Sequence, residues 1–396
     1  MTGAGQVHRL PFDPAEYRDR ERRVRAEMVA RGIDVLYVMS PANINYLTGF
    51  ESIWYPPRAP LGVVVRAAEP GIAFIDYERH KHHVLNAAHW DETVFVGYAD
   101  ALPTVLETFA DRGWTRGTVG IEWHTVSPSG PLVSAVAAGL AERGAEIVAG
   151  DWTVDRVRLV KSSAEVECVR RAAAIVDGAF ARLPELVRVG MTEIEIAARL
   201  ELAMAEQGGE HAGVRTMVSA GPLVWCQTHF APTRRPVEAG DVMYVDACGV
   251  YNRYHADLCR TYAIGRDSPR AREILDHTAR SVEMVVEQVR PGDPLDAAQQ
   301  IAERHVFDRF SPDEVWWVGG YALGIAFPPS WVGHTYLSND AYESFTWEPG
   351  YLTNYENIVF DRELGLTASY MESLLMTDAG IEVLSQLPRA LTVIGG

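Results

Sequence analysis

Two carboxylates eleven positions apart, Asp246 and Asp257 in VDACGVYNRYHADLCRT, constrain this chain more than any other feature. Apolar and β-prone residues flank both, and a turn-forming stretch lies between. The pattern predicts a hairpin in which Met243–Cys248 pairs with Tyr254–Tyr262 across a turn at Gly249–Arg253. Strand side chains alternate faces, so one register brings both aspartates to the same face. Adjacent carboxylates repel unless they are protonated or bridged by a cation. Two later glutamates, Glu356 in GYLTNYENIVF and Glu372 in SYMESLLMT, each interrupt a β-prone run. On strands facing the aspartates they would complete a hard-cation or two-metal site able to activate water. The plain alternative is a set of charges on the solvent face of a hairpin.

Composition narrows what such a site belongs to. At 396 residues the chain can bury a large core, and its length suggests two domains. An apolar fraction of 47% with ten tryptophans describes an ordered globular protein. The formal charge of −17 argues against nucleic acid as a partner. It leaves small-molecule substrates open, because a pocket can differ in sign from the whole surface. Cys168, Cys226, Cys248 and Cys259 show no CxxC spacing, so reduced thiols in a cytoplasmic protein are expected. The opening MTGAGQVHRLPFDPAEYRDRERR is too polar for a signal peptide. No run approaches the ~18–20 apolar residues of a membrane helix.

Strand and helix signals alternate over the first ~150 residues, as in an α/β domain. A helix is predicted over Ala15–Arg31, then strands at Asp34–Met39, Leu61–Arg66, Gly71–Ile75 and Thr118–Ile121, and a helix at Ser134–Arg143. Ala149–Leu159 reads as a crossover. Capping boxes Ser162-x-x-Glu165 and Thr192-x-x-Glu195 open two further helices. Strand-like segments follow around Arg215–Ser219, Met243–Ala247 and His255–Ile264. Helices are then predicted at Pro269–Val289 and Leu295–Phe310, with strands again at Tyr351–Phe360 and Ser369–Thr377. Helices bracketing an antiparallel sheet make the second domain α+β.

His229, in CQTHFAPTRRP, sits on a loop before the Asp246 strand, where it is either a surface residue or overhangs the site. His255 and Tyr254 alternate in direction, His255 being structural or pocket-lining. The aromatic, Gly- and Pro-rich stretch Trp316–His334 is either a packed loop or a pocket wall that includes Trp331. There is no G-x-S-x-G elbow, Walker loop, H-E-x-x-H or G-x-G-x-x-G after a strand.

Taken together, SPANINYLTGF, RVRLVKSSAEVECVRRAA and the run from THFAPTRRP through CRTYAIG resemble the creatinase, aminopeptidase P and prolidase family over nearly the whole chain. The resemblance implies an α/β N-terminal domain, residues 1–152, and an α+β pita-bread catalytic domain, residues 153–396. It also implies one or two divalent ions (Mn, Fe, Co or Zn) at Asp246, Asp257, Glu356 and Glu372. His229 matches the family histidine that contacts substrate or shuttles protons. Where the family has a ligand histidine in G-H-x-x-G, this chain has Gly320-Tyr321-Ala322-Leu323-Gly324. Phe327-Pro328-Pro329 replaces a histidine and glutamate before proline, and His334 substitutes for the missing ligand only if its loop folds back.

The loop GYALGIAFPPSW is similar to that of ectoine-hydrolase-like members, which, like creatinase, open C–N bonds in small nitrogenous compounds. The resemblance therefore implies a hydrolase of an amidine, cyclic amide or amino-acid derivative. His229, Tyr321 and His334 are the candidate catalytic groups; Tyr254, His255 and Trp331 are candidate substrate contacts. A metal-dependent Xaa-Pro dipeptidase, a lyase on a small metabolite and a catalytically silent binding module remain alternatives. A homodimer is the family expectation.

Overall fold

The structure, a computed structural model, describes residues 10–53, 55, 57–125, 127–333 and 345–395. The chain divides into two compact units after Arg158. The expected boundary at residue 152 falls just before a short helix, Thr153–Leu159, in the stretch read from sequence as a crossover.

The first unit is an α/β domain. Its strands are β1 (Val35–Val38), β2 (Gly62–Arg66), β3 (Ile72–Tyr77), β4 (Glu92–Val96), β5 (Gly117–Ile121) and β6 (Ala145–Ala149). They form one sheet in the order β4-β3-β2-β1-β5-β6, with β1–β2 and β2–β3 antiparallel and the remaining pairs parallel. Strands β1 and β3 are buried throughout, which is why they read as unbroken apolar runs. Tyr37 packs on Phe109, and Phe109 packs edge-on against Trp114, from the helix Ala101–Asp111 and the turn after it. That helix, β4 and β6 were not legible in the sequence.

The second unit is α+β. Its strands are β7 (Met217–Ala220), β8 (Val242–Tyr251), β9 (Tyr254–Ile264), β10 (Val315–Gly319), β11 (Leu352–Asp361), β12 (Leu366–Thr377), β13 (Gly380–Val383) and β14 (Thr392–Ile394). The sheet runs β10-β11-β12-β9-β8-β7, with β13 beside β12 and β14 beside β9. Strand β10 takes in the start of the aromatic stretch Trp316–His334, which read as a packed loop or a pocket wall. Both capping boxes form: Ser162 and Thr192 accept from the backbone N–H of Glu165 and Glu195, whose side chains reach back to the cap N–H groups. The helix they open at Ser163–Ala181 packs on β8 and β9. Gly249 permits the approach, because a Cβ there would lie 2.1 Å from the carbonyl oxygen of Ala172. The helix Pro269–Gln288 meets the sheet through Ser281, whose Oγ accepts from the Tyr355 hydroxyl at 3.0 Å. Gly249 and Tyr355 point away from Asp257 and Glu356, so these helices cover one face and leave the carboxylates on the other.

Candidate active site

The β8–β9 hairpin turns on two residues, Asn252 and Arg253, both with left-handed φ (50° and 65°). The turn is therefore tighter than the Gly249–Arg253 loop read from sequence, and Gly249–Tyr251 continue β8. Asparagine tolerates this conformation; arginine does so at a cost. The Glu210 carboxylate holds both residues, accepting the N–H groups of Asn252 and Arg253 at 2.7 and 2.9 Å. The Arg253 guanidinium in turn donates to the carbonyls of His211 and Ala326.

With the turn fixed, the register follows. Asp246 lies opposite Cys259, and Asp257 opposite Cys248, so all four side chains share a face. Neighbouring ladders extend that row across the sheet. Met217 faces Asp246, Met371 faces Cys259, Glu356 faces Met371, and Gly319 faces Glu356. One rung thus reads Met217, Asp246, Cys259, Met371, Glu356, Gly319. Three carboxyl side chains stand on this face, each less than a tenth exposed.

Their surroundings differ. Asp257 accepts from the Tyr321 hydroxyl at 3.2 Å and from Asn354 Nδ2 at 3.1 Å, with the Cys248 thiol at 3.6 Å. Asp246 accepts only from the Tyr244 hydroxyl, at 3.0 Å, and its Oδ1 has no protein partner among the described residues. Burial pushes both acids up, and for Asp246 the charges of Asp257 and Glu356 push further. Asp257 has the more donors and Asp246 the greater repulsion, so Asp246 is the harder of the two to ionise. Glu356 is raised by burial and by Asp257, partly offset by the indole of Trp317.

Tyr321 links this cluster to the loop. Its backbone N–H donates to Asn354 Oδ1 at 2.8 Å, and its carbonyl accepts from Thr353 Oγ1 and Asn354 N. Trp331 Nε1 donates to the Tyr321 hydroxyl at 3.0 Å. Burial and nearby carboxylates hold that phenol well above its ordinary range, so it stays protonated and acts as a donor.

Three sequence readings need correction. Glu372 is adjacent to Met371 on β12 and therefore points to the opposite face. There its Oε1 accepts from Arg260 at 2.7 Å and Arg389 at 3.0 Å, away from the other carboxyls. Tyr254 is also on that back face, donating to Glu165 at 2.9 Å, and is not a pocket residue. His255 shares the site face, but both ring nitrogens are used: Nδ1 bonds the Arg253 carbonyl and Nε2 accepts from the Gly213 N–H. Burial holds it down to about 3, so it is a neutral strut. His334 lies outside the described residues.

His229 is exposed and packs edge-on against Trp316, with centroids 4.5 Å apart. It lines a cleft of about 890 Å³ whose wall also includes Gly213, Arg215, Met217, Phe230 and Pro329. Met217 is both cleft wall and the first residue of the carboxylate rung, which places the cleft at that end of the site. Residues that the sequence reading passed over are Tyr244, Cys248, Cys259, Asn354, Met371 and Ser373, whose Oγ accepts from the Asp257 N–H at 2.8 Å. The two cysteines carried a signal: each lies two positions after an aspartate, hence on its face.

The family resemblance implies a two-ion centre with a histidine and two glutamates beside the aspartates. Here Tyr321, a hydrogen-bond donor, stands in the histidine's place, and the β12 side chain reaching the rung is the Met371 thioether, a poor ligand for hard cations. Among the described residues no three His, Cys, Asp or Glu side chains converge as a metal-binding group. The donor set does not fit the two-ion centre.

Comparison with known proteins places the chain. The profile of metallopeptidase family M24 matches residues 167–376, and that of the creatinase/prolidase N-terminal domain matches residues 20–160. An ectoine hydrolase from Halomonas elongata is 26% identical, with 97% of this chain and 98% of the relative covered. A Pyrococcus furiosus Xaa-Pro dipeptidase is 22% identical, over 94% of this chain and 99% of the relative. Among solved structures, a prolidase from Thermococcus sibiricus superposes with a TM-score of 0.83 at 20% identity, covering 96% of this chain and 99% of that one.

Proposed function

This chain belongs to metallopeptidase family M24, whose hydrolases act on C–N bonds, and we propose that its own reaction is hydrolysis of such a bond in a small amidine, cyclic amide or amino-acid derivative. The observation that carries this reading is the row of buried carboxyls Asp246, Asp257 and Glu356 on one face of the sheet, with Asp246 and Asp257 on neighbouring strands and both pushed up by burial. A paired acid and base is what hydrolysis of an amidine or amide needs. The Asp257 carboxylate takes a proton from water as its oxygen adds to the substrate carbon. Asp246 gives its proton to the departing nitrogen. Passing one proton from Asp257 to Asp246 restores the pair, so the count balances over a turnover. Tyr321, oriented by Trp331, donates to oxygen as negative charge develops there. His229, whose pKa is lowered by its partly desolvated setting against Trp316, exchanges protons with solvent at the cleft.

A cytoplasmic homodimer belongs to the same reading, and light scattering on the eluting protein tests the dimer. Among the described residues no helix is long and apolar enough to cross a membrane.

The test is product analysis by mass spectrometry after incubation with ectoine, creatine and a panel of Xaa-Pro dipeptides. Ring opening of the cyclic amidine or loss of urea from creatine is expected, with the dipeptides intact. Robust dipeptide turnover alone reverses the assignment in favour of a dipeptidase.

A further inference from the structure

We propose that Trp316 is a positioning residue, and that a bulge in β10 presents its indole to hold the His229 ring in place. The proposal rests on the reading of His229 as the group that exchanges protons with solvent, and adds what fixes that ring. Trp316 is the extra residue of the bulge. Val315 lies opposite Val359 and Trp317 opposite Ile358, so two steps along β10 match one along β11. Gly319 opposite Glu356 sets the phase of the strand. Trp317, two residues earlier, therefore shares the carboxyl face, where its indole favours the charged form of Glu356. In a regular strand Trp316 would point to the other face. As the unpaired residue of the bulge it meets His229 edge-on, with ring centroids 4.5 Å apart and ring planes at 89°. Bulges beside functional sites re-aim side chains in this way.

His229 reaches β10 on a loop that crosses one end of the sheet. The Gly221 N–H donates to the Val242 carbonyl at the start of β8. The Val224 carbonyl accepts from Thr367 Oγ1 on β12, and Trp225 packs on Phe360 of β11. Each contact ties the loop to a further strand, and the last is Trp316 on β10. The His229 ring makes no hydrogen bond among the described residues, so packing has to aim it. Proton transfer needs that geometry before it needs a matched pKa. The same contact withdraws water from the ring, and burial is what lowers the His229 pKa. Charged groups on the neighbouring elements are engaged with one another: Glu314 and Asp361 bind Arg270, and Arg235 binds Asp241. Arg362 lies over Trp225. Glu201, Glu210, His211 and Arg215 line the cleft with His229.

The experiment reads the ring directly, by NMR titration of full-length wild type, Trp316→Ala and Trp316→Phe. The His229 signal is identified by its loss in His229→Gln. Wild-type His229 should titrate below the ordinary 6.5. Trp316→Ala should raise its pKa by at least about half a unit, roughly threefold in proton affinity, and Trp316→Phe should restore most of the depression. Trp316→Leu takes the place of the alanine variant if that one does not fold. Turnover is followed in the same proteins on whichever substrate of the panel above wild type converts. Here kcat should fall about tenfold in Trp316→Ala, with KM within about twofold, and Trp316→Phe should recover it. An unmoved His229 pKa in the folded Trp316→Ala protein, or no recovery in Trp316→Phe, overturns the positioning role. A moved pKa with no turnover by wild type leaves that role standing and removes the hydrolase reading. Turnover with an unmoved pKa does the reverse.

Discussion

The two faces of the β9–β12 ladder both bury carboxyl groups, and they treat them in opposite ways. On the back face, Glu372 is completely enclosed but lies between two guanidinium groups, Arg260 and Arg389. Arg260 also binds the carbonyls of Cys259, Met371 and Leu387 and the Ser385 hydroxyl, so the cluster fastens the C-terminal segment to the sheet. On the front face, one residue out of phase, Asp246, Asp257 and Glu356 have hydroxyl, thiol, amide and indole neighbours and no cation among the described residues. A compensated buried charge is architecture, whereas uncompensated ones demand a proton, a cation or a substrate. The difference separates structural acids from functional ones more sharply than residue type does.

The largest effect expected from this contrast is on turnover. Asp257→Asn preserves shape and removes the base, and activity should fall about 10²–10⁴-fold. Stability should hold or rise, because the substitution removes repulsion from a buried cluster. Thermal unfolding alongside the assay checks both. A variant that loses both activity and fold would place Asp257 with the structural acids.

Glu372→Gln should do the opposite. It leaves Arg260 and Arg389 facing a neutral amide inside the sheet, and stability should drop by about 3–5 kcal/mol, read by chemical denaturation. The folded fraction should keep its kcat. If instead kcat collapses in a stably folded variant, Glu372 acts at the site despite its face.

Much of this contrast lies beyond what the sequence shows, for a physical reason. The hairpin was legible because turn-prone residues interrupt two β-prone runs, and the two capping boxes were legible because their chemistry is local. On β12 every position from Leu366 to Met376 is buried. A strand buried on both faces shows no alternation, so nothing in SYMESLLMT says whether Met371 or Glu372 belongs to the front. Only the ladder to Cys259 decides it. His255 was ambiguous for a related reason: its ring is satisfied by Gly213, which is distant in sequence and recognisable only in the fold.

Rewriting the two replaced donors sharpens the comparison from the metal side. Met371→Glu with Tyr321→His puts a carboxylate and an imidazole where the thioether and phenol now stand. Calorimetry with Mn²⁺ or Zn²⁺ should show at least tenfold tighter binding than wild type, about 1.4 kcal/mol. Equal affinity in the two proteins would mean that those positions are not what limits metal binding.

The smallest effects expected are pH slopes, and the front face supplies two of opposite sign. Asp246 has a folded pKa raised above its unfolded value, so the native state holds the extra proton. Its contribution is fully present below the unfolded pKa of about 4 and is lost as pH rises toward the raised folded value. Asp246→Asn should remove that loss, so the variant gains on wild type as pH rises above about 4. His255 is depressed to about 3, below the ordinary 6.5, so there the unfolded chain binds the extra proton. Its contribution is present above about 6.5 and is lost as pH falls toward about 3. His255→Asn should abolish that acid-side slope and, at neutral pH, cost about 1–3 kcal/mol by leaving the Gly213 N–H without its acceptor. KM should stay within about twofold, because both ring nitrogens already serve the fold. A large KM change in the folded His255→Asn protein would show that the strut also touches substrate, and that residues sharing the aspartates' face cannot be divided into structural and functional by their partners alone.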